Sequence, residues 1–250
     1  MAPVMAMVMA RPEKSRVISF GRSCKKDCPM ERTPEPELMN EPVQARAYAE
    51  ADFDESNTLF VDLFRSRFPD FSNGRLLDLG CGPADITLRL ANSLPEVVID
   101  GVDGAGEMLK FGREKLEQDQ ALAARVTLIE GFIPGVELPA SRYEALVSNS
   151  LLHHLHDPDV LWQTISELAA PGACVMIMDL FRPASRDQAS SLVDSYAPDA
   201  PPVLQEDFLN SLLAAFTPQE VAEQLARHEL DALQVETVSD RHLLISGRIG

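Results

Sequence analysis

The sequence predicts an α/β fold with a doubly wound sheet that is mostly parallel and ends in an antiparallel C-terminal strand. Short apolar runs alternate with helical segments through the middle of the chain, and such alternation builds parallel sheets covered on both faces. A glycine-containing turn follows the first run, residues 75–80, and leads into a helix. The last two runs, 232–239 and 241–248, are separated by Asp240 alone, which allows only an antiparallel pair.

The individual elements follow from apolar periodicity, caps and breakers. Asp157-Pro158 opens one helix and Pro171-Gly172 ends it, while residues 217–220 (TPQE) form a capping box that opens another. The first helical region has a predicted break around residues 52–57. Helices are predicted at 41–68, 84–93, 105–118, 158–170 and 217–229, and strands at 75–80, 97–103, 126–131, 143–150, 173–180, 232–239 and 241–248.

The chain divides into a predicted disordered N-terminal tail, residues 1–38, and one domain, residues 39–250. The tail lacks periodicity and contains alternating prolines and a basic excess, with seven Lys/Arg against three acidic residues in 1–32. Met30 and Met39 are alternative starts, and a targeting role for the tail is left open. The tail is expected to contribute little to stability or cofactor binding.

A long stretch after the fifth strand, residues 183–216, interrupts the alternation and is predicted to act as a lid, because long insertions in compact domains are usually functional. Its apolar residues Leu204, Phe208, Leu212 and Phe216 recur every four positions, so they fall on one helical face. This face could close over an acceptor, the molecule on which the protein would act. Permanent packing on the sheet, or on another subunit as in a homodimer, is the alternative.

Composition limits the choice of partners. The net charge of −17 disfavours nucleic acid as a substrate, because acidic surfaces repel phosphate backbones. No apolar run reaches the ~20 residues of a membrane span. Four cysteines form no disulfide framework, which fits a reducing cytoplasm, and Cys24 and Cys28 lack a second pair for zinc.

The turn at Gly80 and Gly82 places backbone at a helix N-terminus, where a ligand can approach closely. In a Rossmann-like dinucleotide site the third position would be glycine, but here it is Asp85. A carboxylate at this position would repel a diphosphate and tolerates a zwitterion such as S-adenosylmethionine. Asp103 ends the second strand, where an acid accepts hydrogen bonds from ribose hydroxyls.

These motifs resemble the class I S-adenosylmethionine-dependent methyltransferases, near the branch of ubiquinone and menaquinone biosynthesis. Residues 75–182, and more loosely 41–250, carry the resemblance. The matching stretches are LLDLGCGPAD, DGVDGAGEML, VSNSLLHHLHDP and APGACVMIMD. The resemblance implies S-adenosylmethionine as the cofactor and a small-molecule acceptor.

The resemblance also implies a set of cofactor contacts. Asp78, Gly80 and Gly82 would contact the methionine part, and Cys81 lies within the same turn. Asn149 would lie near the sulfonium and the amino group. The remaining implied contacts are Asp103 for the ribose, Gly104 and Met108 for the adenosine, and Phe132 against the adenine ring, where the family often has aspartate.

Candidate catalytic residues follow the fourth and fifth strands. His153 and His154 come just after strand four, where a histidine could act as a general base. The alternative is that one or two of these histidines only cap or pack. Asp179 ends strand five and is expected either to face the acceptor with Arg182 or to form a local ion pair. No metal site is predicted, because adjacent histidines should diverge and no carboxylate is spaced to complete one.

The predicted function is methyl transfer to a small molecule, since residues 149–152 (NSLL) replace the Asn-Pro-Pro-aromatic sequence of enzymes that methylate base or amide nitrogens. Two alternatives remain open. One is an enzyme of another class that uses the same cofactor, for example to make a modified S-adenosylmethionine. The other is a non-catalytic cofactor-binding partner subunit. The acceptor, and whether O, N or C is methylated, is not defined by the sequence.

Overall fold

A computed structural model describes residues 30–35 and 40–250. A seven-stranded sheet runs through the domain in the order β3-β2-β1-β4-β5-β7-β6. All neighbouring pairs up to β5 are parallel, and β7 lies antiparallel to both β5 and β6. The predicted fold class, including the reversed C-terminal strand, is confirmed.

The strands alternate with helices on both sides of the sheet. The strands are β1 (Asn73–Leu79), β2 (Glu96–Asp103), β3 (Val126–Glu130), β4 (Tyr143–Asn149), β5 (Ala169–Leu180), β6 (Gln234–Thr237) and β7 (His242–Arg248). The helices are α1 (Pro42–Glu50), α2 (Asp54–Arg67), α3 (Asp85–Ser93), α4 (Gly106–Glu117), α5 (Gln120–Ala123), α6 (Asp159–Leu168), α7 (Arg186–Tyr196), α8 (Pro202–Ala214) and α9 (Pro218–Arg227).

Local signals set several of these boundaries. The predicted break in the first helical region separates α1 from α2. The capping box that opens α9 is complete, with the Thr217 hydroxyl accepting from the Glu220 N–H and the Glu220 carboxylate accepting from the Thr217 N–H. That helix ends at Arg227, two residues earlier than predicted, and Glu229 has a positive φ of 57°.

The sheet separates two apolar cores, since successive side chains of a strand point to opposite faces. Leu76 of β1 packs with α2 and α3 residues such as Phe64 and Leu90, whereas its neighbour Leu77 packs with Trp162 of α6 on the other face. Met176 and Met178 lie fully buried in the first core, as expected for filler residues.

The topology places a crevice at the carboxyl edge of the sheet. The chain moves outward from β1 through β2 to β3 and then returns to place β4 on the other side of β1. Ligands of open α/β sheets bind outside the strand ends at such a switch point. The ends of β1, β2, β4 and β5 therefore define where to look for the site.

No helix within residues 30–35 and 40–250 has both the length and the apolar character needed to cross a bilayer.

The predicted lid, residues 183–216, contains α7 and α8, which pack against each other around their own small core. Leu192 of α7 and Leu212 of α8 are buried in it, and Phe208 lies at its edge. Leu212 and Phe216 are buried while Leu204 and Phe208 are half-buried. Helix α8 also contacts α1 and the short 3₁₀ turn Leu152–His154 that follows β4. Closure of the predicted lid, residues 183–216, over an acceptor stays a prediction.

The predicted N-terminal tail is wrong for residues 30–35, because these residues bind the domain; residues 1–29 and 36–38 lie outside the described residues. The Arg32 guanidinium donates to the carbonyl oxygens of Ala214, His153 (2.9 Å) and Leu155 (2.8 Å). It also lies 4.0 Å from the centroid of the Phe216 ring. The Arg32 guanidinium thus satisfies carbonyl groups at the end of α8 and after β4. No local sequence pattern predicts this long-range role.

We therefore expect Arg32→Ala to destabilise the domain by about 2 kcal/mol, because hydrogen bonds from a charged donor contribute about 1.5–3 kcal/mol each and water can replace only part of them. Urea unfolding of the full chain measures the free energy of unfolding. Glu31→Ala is the matched control, since Glu31 is the exposed neighbour of Arg32. Equal stability of both variants would show that the segment does not hold the domain.

Candidate active site

The ends of β1 and β2 are joined through one carboxylate. The Gly82 N–H donates to Oδ2 of Asp103 over 2.7 Å, and the Ala105 N–H donates to Oδ1 over 2.7 Å. Gly80 and Gly82 have positive φ angles of 72° and 53°, which favour glycine. Burial raises the pKa of Asp103, and the two N–H donors oppose that rise. The predicted glycine turn and the predicted ribose acid therefore lie side by side.

Gly82 faces open space at this edge: a Cβ built there would meet no atom within 4 Å, whereas one on Gly80 would lie 2.9 Å from Leu151. The turn therefore leaves its backbone accessible at Gly82 and is packed tightly at Gly80. This arrangement suits the close approach of a ligand to the start of α3.

Asp78 lies beneath the turn and is almost completely buried. The Thr87 hydroxyl of α3 donates to its Oδ2 over 2.6 Å. Burial raises the pKa of Asp78 to about 7, the Thr87 hydrogen bond opposes the rise, and the charge of Asp103 adds to it. Cys81 is also buried, and burial raises the pKa of its thiol well above the usual value. It is an inert side chain within the turn.

The Asp85 carboxylate is paired with side chains of the protein and is not directed at a ligand. This corrects the sequence-based argument that its charge would repel a diphosphate. Its Oδ2 accepts from Arg89 Nε (2.7 Å) and Asn57 Nδ2 (2.8 Å), and Lys115 Nζ lies 3.6 Å from Oδ1. These contacts lower its pKa although burial, the largest single influence, raises it. Asp85 ties α3 to α2, so its charge does not decide between cofactors.

The predicted adenosine side lies next to α4 and α1. Met108 is buried in a cluster with Ala45 and beside Tyr48. Gly104 follows Asp103 in the bend before α4, and Phe132 is 64% exposed. The exposure of so large an apolar ring leaves it available to contact a flat ligand ring.

Asn149 ends β4 and presents an unsatisfied acceptor. Its Nδ2 donates to the Ser150 hydroxyl over 3.2 Å, while its Oδ1 is buried and has no hydrogen-bond partner among the described residues. Leaving a buried acceptor unpaired costs about 1–3 kcal/mol. A cationic donor such as an ammonium group would satisfy it.

His153 and Asp179 form a buried pair at the ends of β4 and β5. His153 Nδ1 lies 2.5 Å from Asp179 Oδ1. Asp179 also accepts from the N–H groups of Leu152 and Leu180, each over 2.7 Å. Burial lowers the pKa of His153, but the charge and hydrogen bond of Asp179 outweigh it and the net shift is upward. Nδ1 is thus committed to Asp179, and Nε2 points away from it.

A residue that the sequence interpretation missed completes this cluster. The Glu35 Oε1 atom lies 3.6 Å from His153 Nε2 and 3.3 Å from His154 Nδ1, and the Ser211 hydroxyl donates to it over 3.1 Å. Burial raises the pKa of Glu35 and the nearby charge of His153 opposes the rise. The two imidazole rings lie 4.2 Å apart. Both reasons given against a metal site are wrong: the histidines converge, and a carboxylate reaches them.

Arg182 does not pair with Asp179. Its guanidinium donates to Glu220 over 2.6 Å and to the Ala215 carbonyl over 2.9 Å, and the side chain is buried. The local ion-pair alternative is closer to what is observed, with Glu220 of α9 as the partner. Arg182 therefore fastens α9 to the end of β5.

Tyr48 of α1 packs against Phe53, which precedes α2. Its ring lies 4.8 Å from that of Phe53. Burial raises the pKa of Tyr48 to about 12, and the charges of Asp103 and Asp179 add to the rise.

Comparison with known proteins relates the chain to methyltransferases. Residues 77–175 match a family model described as a methyltransferase domain. The chain is 30% identical over 154 residues to the trans-aconitate 2-methyltransferase of Variovorax paradoxus, covering 59% of this chain and 55% of that protein. It is 27% identical over 112 residues to an uncharacterised methyltransferase of Mycobacterium tuberculosis, covering 45% and 53%. The chain thus spans about half the length of the curated relatives it matches.

Two solved structures share the fold. A SAM-dependent methyltransferase from Aquifex aeolicus superposes with a TM-score of 0.60 at 15% identity, covering 84% of this chain and 99% of that one. The plantazolicin methyltransferase BpumL in complex with SAH gives 0.63 at 15% identity, covering 83% and 91%. The fold is that of the class I S-adenosylmethionine-dependent methyltransferases, and this part of the predicted resemblance is confirmed. The nearness to the ubiquinone and menaquinone branch stays a prediction.

Proposed function

We propose that this protein transfers the methyl group of S-adenosylmethionine to a small molecule at the carboxyl edge of the sheet. The observation that carries the proposal is the Asp103 carboxylate, which lies beside the open backbone of Gly82 and ends β2. Both carboxylate oxygens hold one N–H each, and a carboxylate has further lone pairs for ribose hydroxyls.

The residues present fit this cofactor. Asn149 Oδ1, buried without a partner, offers an acceptor to the ammonium group of the methionine part. The exposed Phe132 ring and the buried Met108 offer apolar contacts to the adenosine. We carry Asp78, Gly80, Cys81, Gly82 and Gly104 over as further contacts from the sequence resemblance.

When bound, the cofactor supplies a methyl group already activated by its sulfonium. The protein's own work is then to align the acceptor and exclude water. Helix α8 lies beside the histidine turn and α7 packs on α8, and these two helices are the proposed place of acceptor selection. We propose that His153, held in one tautomer by Asp179, accepts the proton of a hydroxyl or amino acceptor, with His154 beside it.

The alternatives are less well supported. An enzyme making a carboxylated cofactor would need a free cation in the pocket, and the candidate named for that role, Arg182, is bound to Glu220. A non-catalytic subunit would be expected to lose the glycine turn, which is intact. The net charge of −17 disfavours a nucleic-acid acceptor. A cytoplasmic location, favoured by the free thiols of Cys81 and Cys174, is part of the same proposal.

The cofactor proposal predicts that Asp103→Asn weakens binding of S-adenosylhomocysteine by about 1–3 kcal/mol, the usual loss when a charged hydrogen-bond partner is removed. Calorimetry on the purified full chain measures the affinity. The control variant is Asp119→Asn, because Asp119 caps the distant helix α5. Asp100 is buried and is therefore not suitable as a control. Binding of NAD in place of S-adenosylhomocysteine would reject the proposal.

For the catalytic proposal, His153→Gln should lower turnover about 10²–10⁴-fold, the range contributed by a positioned base, and leave cofactor affinity unchanged. Transfer is first measured with labelled S-adenosylmethionine and a metabolite extract. The hydroxyl or amino acceptor that gains label is then identified and used to measure turnover. His228→Gln is the control, because the His228 imidazole pairs with Asp159 of α6 and not with Asp179 or Glu35.

Trans-aconitate is a second acceptor to test, because the Variovorax relative is named for it. Its carboxylates are ionised at neutral pH and need no base, so its methylation should survive His153→Gln if His153 acts as a base. Loss of that rate in a variant that still binds the cofactor would contradict the role of His153 as a base.

A further inference from the structure

Three side chains outside the cofactor region converge on one point. Glu35, His153 and His154 each offer a ligand atom, and these atoms all lie within 4.8 Å of one another. None of this is visible in the sequence, because Glu35 lies more than a hundred positions before the two histidines.

The separations match those between metal ligands. Zinc bonds nitrogen and oxygen ligands at about 2.0–2.2 Å in tetrahedral sites, which sets neighbouring ligand atoms about 3.3–3.6 Å apart. The Glu35 Oε1 atom lies 3.3 Å from His154 Nδ1 and 3.6 Å from His153 Nε2. Direct charged hydrogen bonds would be shorter, at about 2.7–2.9 Å.

A supporting carboxylate is also in place. Metal-binding histidines usually donate their other ring N–H to a carboxylate or a carbonyl, which fixes the tautomer. His153 Nδ1 is 2.5 Å from Asp179, a residue that two backbone N–H groups hold in position. This leaves His153 Nε2 directed at the point of convergence.

In the metal-free protein the charge of His153 balances that of Glu35, and a bound cation would take the place of the imidazole proton. The Glu35 side chain is only 9% exposed, and the Ser211 hydroxyl that donates to it is neutral. A buried carboxylate is stable when it is paired or coordinates a metal.

We propose that Glu35, His153 and His154 bind a first-row divalent cation, with Zn²⁺ as the ion of choice. Two imidazoles and one carboxylate are the ligands of three-residue zinc sites that keep a fourth position for water or substrate. The metal would join the N-terminal segment to the turn after β4. A bound metal would also occupy the lone pair of His153 Nε2, which the proposed function uses to accept a proton. Only this effect on turnover rests on the proposed function.

Cobalt titration of the full chain, freed of metal with a chelator and then dialysed, tests the site. We expect one Co²⁺ per chain with the intense visible absorption of a four-coordinate ion, and displacement by Zn²⁺. Glu35→Gln should weaken Zn²⁺ binding at least tenfold. Asp179→Asn should weaken it 10–100-fold, as is usual for a partner behind a ligand. Glu31→Gln, in the same segment but exposed, should bind as the parent does.

Far-ultraviolet circular dichroism verifies that each variant is folded, and His154→Ala replaces Glu35→Gln if the latter fails this test. Calorimetry with S-adenosylhomocysteine tests the proposed function separately. Absence of saturable Co²⁺ binding, or unchanged Zn²⁺ affinity in a folded variant, would overturn the proposal. So would a near-ultraviolet thiolate charge-transfer band, because cysteines would then hold the ion. If the parent protein does not bind S-adenosylhomocysteine, this result would contradict the proposed function and leave the metal result standing.

Discussion

The carboxylate of Asp103 is the interaction on which the rest of the site depends. It accepts the N–H of Gly82 after β1 and the N–H of Ala105 before α4, so it fixes the relative position of the two loops that form the crevice. Positive φ at Gly80 and Gly82 turns the chain sharply enough for α3 to begin beside it. Without this bridge, neither the open backbone at Gly82 nor the orientation of the Asp103 side chain would be defined.

The opposite side of the edge is organised by long-range contacts of a short N-terminal segment. Arg32 joins backbone carbonyls from the end of α8 and from the turn after β4, and Glu35 reaches the histidines of that turn. Because α8, the turn and the segment hold each other, the proposed acceptor region and the proposed metal site share one structural support. The His153–Asp179 pair lies where this support meets the carboxyl end of the sheet.

The sequence was informative wherever the signal is local. Gly80, Gly82 and Asp103 lie next to each other because the ends of neighbouring parallel strands must meet, and the capping box at Thr217 and Glu220 forms as its spacing predicts. Charges with distant partners were not predictable. Asp85 binds Asn57 and Arg182 binds Glu220, so both lost the ligand-facing roles considered for them. Glu35 fell within a proline-containing stretch with no periodic signal, and its neighbours in space come from the turn after β4 and from α8. The individual cofactor and catalytic assignments stay predictions.

The most direct measurement is a crystal structure of the full chain with S-adenosylhomocysteine. It should show both ribose hydroxyls within about 3 Å of the Asp103 carboxylate, a normal hydrogen-bond distance. The ligand's amino group should donate to Asn149 Oδ1, and its methionine part should lie along the Gly82 backbone. A ligand bound away from the ends of β1 and β2, or one whose ribose makes no contact with Asp103, would contradict the central claim.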